Sequence, residues 1–186
     1  MVARVIFVII VLALALQRLL ELRLSRRHEA GILAHGGREH GADHFGWMKA
    51  LHTAWFIAML AEVLLLDRPF IPWLAAVAFV FFIIGQALRY AAILTLGPRW
   101  TVRVMTLPDE PPVTRGIYRY VRHPNYAGVI LEIAAAPLLH TAYLTSMVFT
   151  LANAVVLAVR IRTEEYALDL DNQYRHAFAG RPRFIP

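Results

Sequence analysis

The chain has 186 residues, of which 59% are hydrophobic and 17% charged, and its formal net charge is +6 at pH 7. Soluble domains carry about 25% charged residues, and the apolar residues here run in blocks too long for a soluble core. The arginines lie beside these blocks, which favours an anionic membrane surface over nucleic acid as their partner. The absence of cysteine excludes disulfides and cysteine-ligated metal sites. The composition therefore predicts an integral membrane protein.

The apolar blocks predict an all-α protein with about five transmembrane helices. In chain order, these helices are expected at about residues 2–22, 47–66, 72–96, 126–139 and 143–160, and the last one continues as a charged, water-facing extension. The residues between the first helix and position 45 are expected to form a polar loop. A spanning helix needs about 20 residues, so the short fourth and fifth helices could instead form a tilted or partly re-entrant hairpin.

Lysine and arginine concentrate after the first helix, after the third helix and in the C-terminal tail. The positive-inside rule places these segments in the cytoplasm. We therefore expect the N-terminus outside, the C-terminus in the cytoplasm and an odd number of crossings. The expected location is a bacterial inner membrane.

Two motifs lie on the predicted cytoplasmic side. The first is Gly-Ile-Tyr-Arg-Tyr-Val-Arg-His-Pro-Asn-Tyr at residues 116–126, and the second is Arg-Ile-Arg-Thr-Glu-Glu at residues 160–165. The fourth and fifth helices are adjacent and antiparallel, so the motifs should lie close together. Pro124 fits the first turn of a helix, which places His123 and Asn125 at a helix N-terminus that can bind an anion.

The side chains of these motifs suit a ligand that carries both signs of charge and an aromatic part. Tyr118 and Tyr126 offer ring faces to a base or a cation. Glu164 and Glu165 can accept hydrogen bonds from an ammonium group or from ribose hydroxyls, and Arg162 could orient an anionic group. The motifs therefore predict a site for a zwitterionic, partly aromatic molecule.

The run G-x-Y-x-x-x-R-H-P-N-Y, followed after a helical hairpin by R-T-E-E, resembles the isoprenylcysteine carboxyl methyltransferase family and its phospholipid methyltransferase relatives. The resemblance covers about residues 100–186. The N-terminal half, with the run L-Q-R-L-x-E-L, is similar to the small bacterial branch, some members of which methylate hydroxyls of alkylpyrones or related polyketide lipids. The resemblance implies a membrane methyltransferase that uses S-adenosylmethionine. Residues 1–98 would be a three-helix scaffold and residues 99–186 the catalytic region of one integrated domain.

The resemblance also implies roles for individual residues. Arg162, with Arg160 as the fallback, would contact the substrate. Glu132 within the fourth helix, together with the lack of the extra helices of larger members, departs from the protein-modifying branch and weakens the case for a prenylated protein as substrate. The residues that would bind the cofactor are Pro112, Val113, Tyr118, His123, Pro124, Asn125, Tyr126, Glu164 and Glu165.

The expected reaction is methylation of a lipid-like acceptor, most simply at oxygen. An acidic enol or carboxylate would need only orientation by Arg162, whereas a neutral phenol or amine would need a base, for which Glu132 or His123 is the candidate. A carboxylate such as Glu132 is costly within the hydrocarbon region and often lines a functional cavity there. The alternative is a structural bond with Arg89 or Gln86.

Other interpretations stay open. A phospholipid N-methyltransferase shares the same motifs, and a small transporter or scaffold is the alternative outside the enzymes. Asn153 either bonds to the fourth helix or reaches the ligand pocket. The spacing of His35, His40 and His44 with Asp43 fits no closed metal site, so no metal is predicted.

Overall fold

The computed structural model describes residues 1–184, without the side chains of Asp43 and His44. Two short 3₁₀ turns lie at Gly97–Arg99 and Gly116–Arg119. The helices and strands are α1 (Val2–Ala34), β1 (Arg38–His40), α2 (Ala42–Leu65), α3 (Pro72–Leu96), β2 (Val104–Thr106), α4 (Pro124–Leu138), α5 (Tyr143–Asn172) and α6 (Tyr174–Ala177).

Four helices of this described part are long and apolar enough to cross a membrane. They contain the segments Val2–Ala34, Phe45–Leu65, Pro72–Arg99 and Tyr143–Asn172. The predicted helical membrane protein is therefore confirmed, while the count of five spans stays a prediction.

The fourth predicted span, α4, is short and enclosed by protein. Its 15 residues extend about 22 Å at 1.5 Å per residue, less than the ~30 Å hydrocarbon core. It packs mainly against α3 and also against α5. The contact with α3 is close because Gly128 faces Gly85: a Cβ atom at Gly128 would lie 2.6 Å from the carbonyl oxygen of Gly85.

The prediction of a polar loop between about residues 22 and 45 is wrong for the first half of that stretch, because α1 continues to Ala34. The residues that follow position 22 contain no proline, and Ser25 donates a hydrogen bond of 2.5 Å to Glu29 one turn later. The chain then turns at Gly36 and Gly37 into β1, which pairs antiparallel with β2. This two-stranded sheet was not expected from the sequence.

α2 and α5 run antiparallel, and Glu62 fixes their relative position. Its carboxylate accepts hydrogen bonds from the backbone N–H groups of Leu144 (3.1 Å) and Thr145 (2.7 Å) and from the hydroxyl of Thr145 (2.8 Å). Arg68 pairs with the same carboxylate. Glu62 therefore satisfies N–H groups at the start of α5, which have no partner within the helix.

A buried polar network joins α1, α3 and α4. Glu132 of α4 accepts hydrogen bonds from Arg18 of α1 at 2.5 Å and from Gln86 of α3 at 2.6 Å, and it lies 3.1 Å from Nε of Arg89. Arg18 and Arg89 also pair with Glu21. These contacts are those expected of the structural alternative for Glu132.

Candidate active site

The first motif forms the bend that leads into α4. Tyr118 is buried in the turn Gly116–Arg119, and His123 precedes Pro124 at the first position of the helix. The C-terminal tail runs beside this bend: the N–H of Arg122 donates to the carbonyl of Pro182 at 3.0 Å, and the N–H of His123 donates to that of Arg183 at 2.9 Å. The tail therefore holds the motif in place.

The two motifs meet at Glu165 of α5. Its Oε1 lies 3.0 Å from Nε2 of His123 and 3.4 Å from a guanidinium nitrogen of Arg122. Arg183 of the tail donates two hydrogen bonds to the same carboxylate, at 3.0 and 2.6 Å. The predicted proximity of the motifs is confirmed, and Glu165 is the group that links them.

A second chain of contacts lies beside this one. The hydroxyl of Tyr126 donates to Glu164 and accepts a hydrogen bond of 2.8 Å from Nε of Arg160. Arg160 also donates to the carbonyl of Val102. Its side chain is buried, yet its guanidinium forms no direct ion pair with a carboxylate of the described residues. The nearest negative charge is that of Glu164, which the Tyr126 hydroxyl links to Arg160. A buried cation whose counter-charge is held one group away can still pair with an anion that binds in the cavity.

Two adjoining cavities lie around these residues. The larger, of about 420 Å³, is lined mostly by apolar groups of α1, α2, α4 and α5. The smaller, of about 120 Å³, lies between the β2 segment and the residues around α6. The residues that line both are Leu96, Thr101, Tyr118, Arg122 and Glu164.

Most of the predicted cofactor residues line one of these cavities. The larger cavity takes His123, Asn125, Tyr126 and Glu164, the smaller takes Pro112, Val113 and Glu164, and Tyr118 lines both. Pro124 and Glu165 line neither, and Glu165 instead holds His123 and Arg122.

Two predicted substrate or catalytic residues lie elsewhere. Arg162 is exposed and lines neither cavity, whereas the fallback Arg160 lines the larger one. Two residues along an α-helix correspond to a rotation of about 200°, so the two arginines point to different sides of α5. Glu132 also lines neither cavity; it lies within the network of Arg18 and Arg89.

Residues 75–170 match the family model described as the isoprenylcysteine carboxyl methyltransferase (ICMT) family. The chain belongs to this family. Over 140 residues it is 30% identical to a probable protein-S-isoprenylcysteine O-methyltransferase of rice (Oryza sativa), a match that covers 72% of this chain and 73% of the relative. Over 162 residues it is 37% identical to the uncharacterized protein YpbQ of Bacillus subtilis, which covers 87% of this chain and 96% of the relative.

The fold of this ICMT-family protein is also similar to a solved structure, that of the eukaryotic intramembrane Ras methyltransferase ICMT. The TM-score is 0.61 at 25% sequence identity, over 76% of this chain and 52% of the solved one. The chain thus spans about half the length of that methyltransferase. The prediction of ICMT-family membership from the two motifs is confirmed.

Polar atoms without a partner show where the ICMT-family site is prepared for a ligand. Oδ1 of Asn125 and Nε of Arg122 are buried, and neither has a hydrogen-bond partner within the described residues. Both side chains line the larger cavity. Buried polar groups of this kind are costly unless a bound molecule or water pairs with them. They fit a ligand with hydrogen-bonding groups of both kinds, as S-adenosylmethionine has.

Two tyrosines of the site remain uncharged. Burial, together with the nearby charge of Glu164, raises the pKa of both Tyr118 and Tyr174. Tyr118 and Tyr174 therefore act as neutral hydroxyls and aromatic surfaces rather than as phenolates.

In the tail, the hydrogen bond to Glu165 raises the pKa of Arg183.

The sequence did not single out the C-terminal tail or the walls that α1 and α2 contribute. Arg181 donates to the carbonyl of Tyr118 at 2.9 Å, and Arg18 and His52 line the larger cavity. The only signal for the tail was its arginine content, which the positive-inside rule already explained.

No group of three histidine, cysteine, aspartate or glutamate side chains that could hold a metal occurs among the described residues. The side chains of His44 and Asp43 lie outside them. His40 forms a hydrogen bond of 2.8 Å with Thr106 of the opposite strand, which gives it a structural role.

Proposed function

We propose that this protein is an integral membrane methyltransferase that transfers the methyl group of S-adenosylmethionine to an oxygen of a lipid-like acceptor. The observation that carries this proposal is the pair of adjoining cavities that share Tyr118, Arg122 and Glu164 as lining residues. A cofactor at this junction and an acceptor in the larger cavity can be aligned for direct transfer, and alignment alone can supply about 7–11 kcal/mol of the barrier.

The cofactor is proposed to lie where the two cavities join. S-Adenosylmethionine supplies an electrophilic methyl group on a sulfonium, which departs as a thioether when an oxygen takes the methyl. Glu164 can accept hydrogen bonds from its ammonium or ribose groups, and Arg122 can pair with its carboxylate. The rings of Tyr118 and Tyr126 offer faces to the adenine or the sulfonium.

The acceptor is proposed to enter the larger cavity with its reactive oxygen towards Arg160. The guanidinium can neutralise a carboxylate or an acidic enol and hold it in line, so that no base is needed. Such an acceptor includes an isoprenylcysteine-like carboxylate, as the names of the relatives suggest, or a hydroxylated alkylpyrone. For a neutral hydroxyl, His123 is the base within reach of the cavity, with Glu165 fixing its ring.

A cation at the acceptor end argues against the alternative of phospholipid N-methylation. Arg160 is buried and forms no direct ion pair within the described residues. An ethanolamine ammonium beside it would meet a like charge, so such a lipid would have to turn its phosphate, and not its amine, towards Arg160. Lipid analysis separates the two reactions, because N-methylation would produce methylated ethanolamine lipids.

We further propose five crossings of a bacterial inner membrane, with the N-terminus outside and the site at the cytoplasmic face. Two contacts support this arrangement: Arg4 pairs with Asp67 at 2.5 Å, and Thr141 donates to the carbonyl of Pro69 at 2.5 Å. These contacts gather the start of α1 and the turns after α2 and α4 at one end. The tail around Arg183 and Glu165 lie together at the other end of α5, which supports placing the two termini on opposite sides of the membrane.

Both regions of the chain are proposed to contribute to the site. Residues 99–186 supply the catalytic region, and residues 1–98 supply the scaffold. The scaffold also contributes a wall, since Ala15, Met48 and Phe56 line the larger cavity. The two regions therefore work as one domain.

The test is to incubate membranes that contain the protein with methyl-labelled S-adenosylmethionine and to follow the label. Label in the lipid fraction that depends on the protein supports the proposal. Label in the protein fraction would instead identify a prenylated protein as the acceptor. No protein-dependent label in either fraction would overturn the proposed function.

A further inference from the structure

One face of α5 lines the larger cavity and carries a polar group at each end. Asn153, Val156, Leu157 and Arg160 all line it, at the spacing of a single helix face. Arg160 and Asn153 are seven residues apart, which corresponds to about 10 Å along the helix. The stretch between them is apolar.

Asn153 is buried, and its amide has no hydrogen-bond partner among the described residues, which leave out the side chains of Asp43 and His44. Its exposed fraction is 2%, and the bond to α4 that was one alternative for this residue is absent from the described contacts. Neither amide atom of Asn153 is among the unpaired atoms that are fully enclosed, so the amide faces the cavity that Asn153 lines. The cavity is therefore where its partner can come from.

His52 of α2 lies at nearly the same depth. Starting from the contact of Glu62 with Thr145, eight residues along each antiparallel helix place Asn153 level with about residue 54. His52 lines the same cavity, and its Nδ1 is bonded to the carbonyl of Met48 at 2.9 Å. Its Nε2 is therefore the nitrogen left for a ligand.

Apolar groups surround this pair on the cavity wall. Phe56 and Ile57 lie one turn further along α2, and Val156 and Leu157 lie between the pair and Arg160. A hydrocarbon chain would pack against these apolar groups but would leave Asn153 and His52 without hydrogen-bond partners. Lys49 and Thr53 of α2 also line the cavity. Polar groups therefore lie near Asn153 as well as near Arg160, whereas a hydrocarbon tail by itself would contact only the apolar ones.

We propose that the acceptor carries a second hydrogen-bonding group, a hydroxyl or a carbonyl, about 10 Å from the oxygen that is methylated, and that Asn153 and His52 bind it. This inference rests on the proposed methyltransferase function and narrows its substrate class. It makes Asn153 and His52 specificity-determining residues, because they recognise the chain of the acceptor and not its reacting oxygen.

The test uses two probes that differ in one group: an N-acetyl-S-alkylcysteine, and the same molecule with a ketone about 10 Å along its chain from the carboxylate. The purified protein is assayed with methyl-labelled S-adenosylmethionine. We expect the KM of the keto probe to be about tenfold lower than that of the alkyl probe, which is the effect of one hydrogen bond of ~1.4 kcal/mol. Asn153→Leu should abolish this preference by raising the KM of the keto probe to that of the alkyl probe.

His52→Phe is the second variant, and it should reduce the same preference. Val155→Leu is the matched control, because Val155 lies near Asn153 on α5 but is 68% exposed. Binding of S-adenosylmethionine verifies that each variant is folded. Equal KM values for the two probes in the unaltered protein, or a preference that both variants retain, would overturn this inference alone. If neither probe is methylated although membranes with the protein do label a lipid, the inference fails and the proposed function stands. If those membranes label nothing, the proposed function fails and the inference fails with it.

Discussion

At the scale of single residues, two neighbouring arginines of α5 have opposite surroundings. Arg160 is buried against Tyr126 and faces the larger cavity, while Arg162 is exposed. Both belong to the second motif, and the sequence favoured Arg162 for the substrate. The choice depends on which way the helix is rotated, which only its packing against α2 and α4 decides.

This difference leads to a paired prediction. Arg160→Ala should lower kcat/KM for an acidic acceptor by about 10–100-fold, because a charge-assisted hydrogen bond contributes about 1.5–3 kcal/mol. Arg162→Ala should change it by less than about twofold, as an exposed charge does. Steady-state assays with the alkylcysteine probe measure both. An equal loss in the two variants would contradict the placement of Arg160 as the acceptor-binding residue.

At the scale of helices, the contacts of Glu132 join three of them. Arg18 of α1, and Gln86 and Arg89 of α3, all meet this carboxylate of α4. Removing one partner of a buried ion pair leaves the other charge without compensation, which costs about 3–5 kcal/mol. The network therefore holds α4, and with it the first motif, against the scaffold.

Glu132→Gln should accordingly lower the thermal stability of the purified protein without changing the affinity of the folded protein for S-adenosylmethionine. The melting temperature in detergent and the binding constant measure the two effects. Val129, on the same helix, lines the cavity without polar contacts, so Val129→Ala serves as a comparison for a purely apolar change. Normal stability with lost turnover in Glu132→Gln would instead identify Glu132 as the catalytic base.

The helices also show what the sequence could predict. The apolar blocks predicted the bounds of α2 and α3 nearly correctly, because proline residues and charged turns mark where these helices begin and end. α1 is longer than expected because its charged C-terminal half remains helical. This half packs against the residues that lead into β2, where the hydroxyl of Ser25 accepts a hydrogen bond of 2.7 Å from the N–H of Val102. The pairing of β1 with β2 joins residues more than 60 positions apart, and no local sequence pattern predicts it.

At the scale of the whole molecule, the site was predicted in part. The sequence predicted that the two motifs lie together because α4 and α5 are adjacent and antiparallel, and the contacts of His123 with Glu165 and of Tyr126 with Glu164 agree with this. The cavity could not be predicted, since its walls come from five helices, α1 to α5, whose relative rotation is set by tertiary packing. The tail that closes the site through Arg183 was missed for the same reason.

Binding of S-adenosylmethionine to the purified protein, measured by titration calorimetry, tests the central claim most directly. The unaltered protein should bind it. His123→Ala and Glu165→Ala should each weaken binding by about tenfold or more, because the first removes a wall of the larger cavity and the second frees His123, Arg122 and Arg183. Arg162→Ala should bind normally. Absence of binding in the unaltered protein, or an affinity in both site variants equal to that of the unaltered protein, would contradict the proposed site.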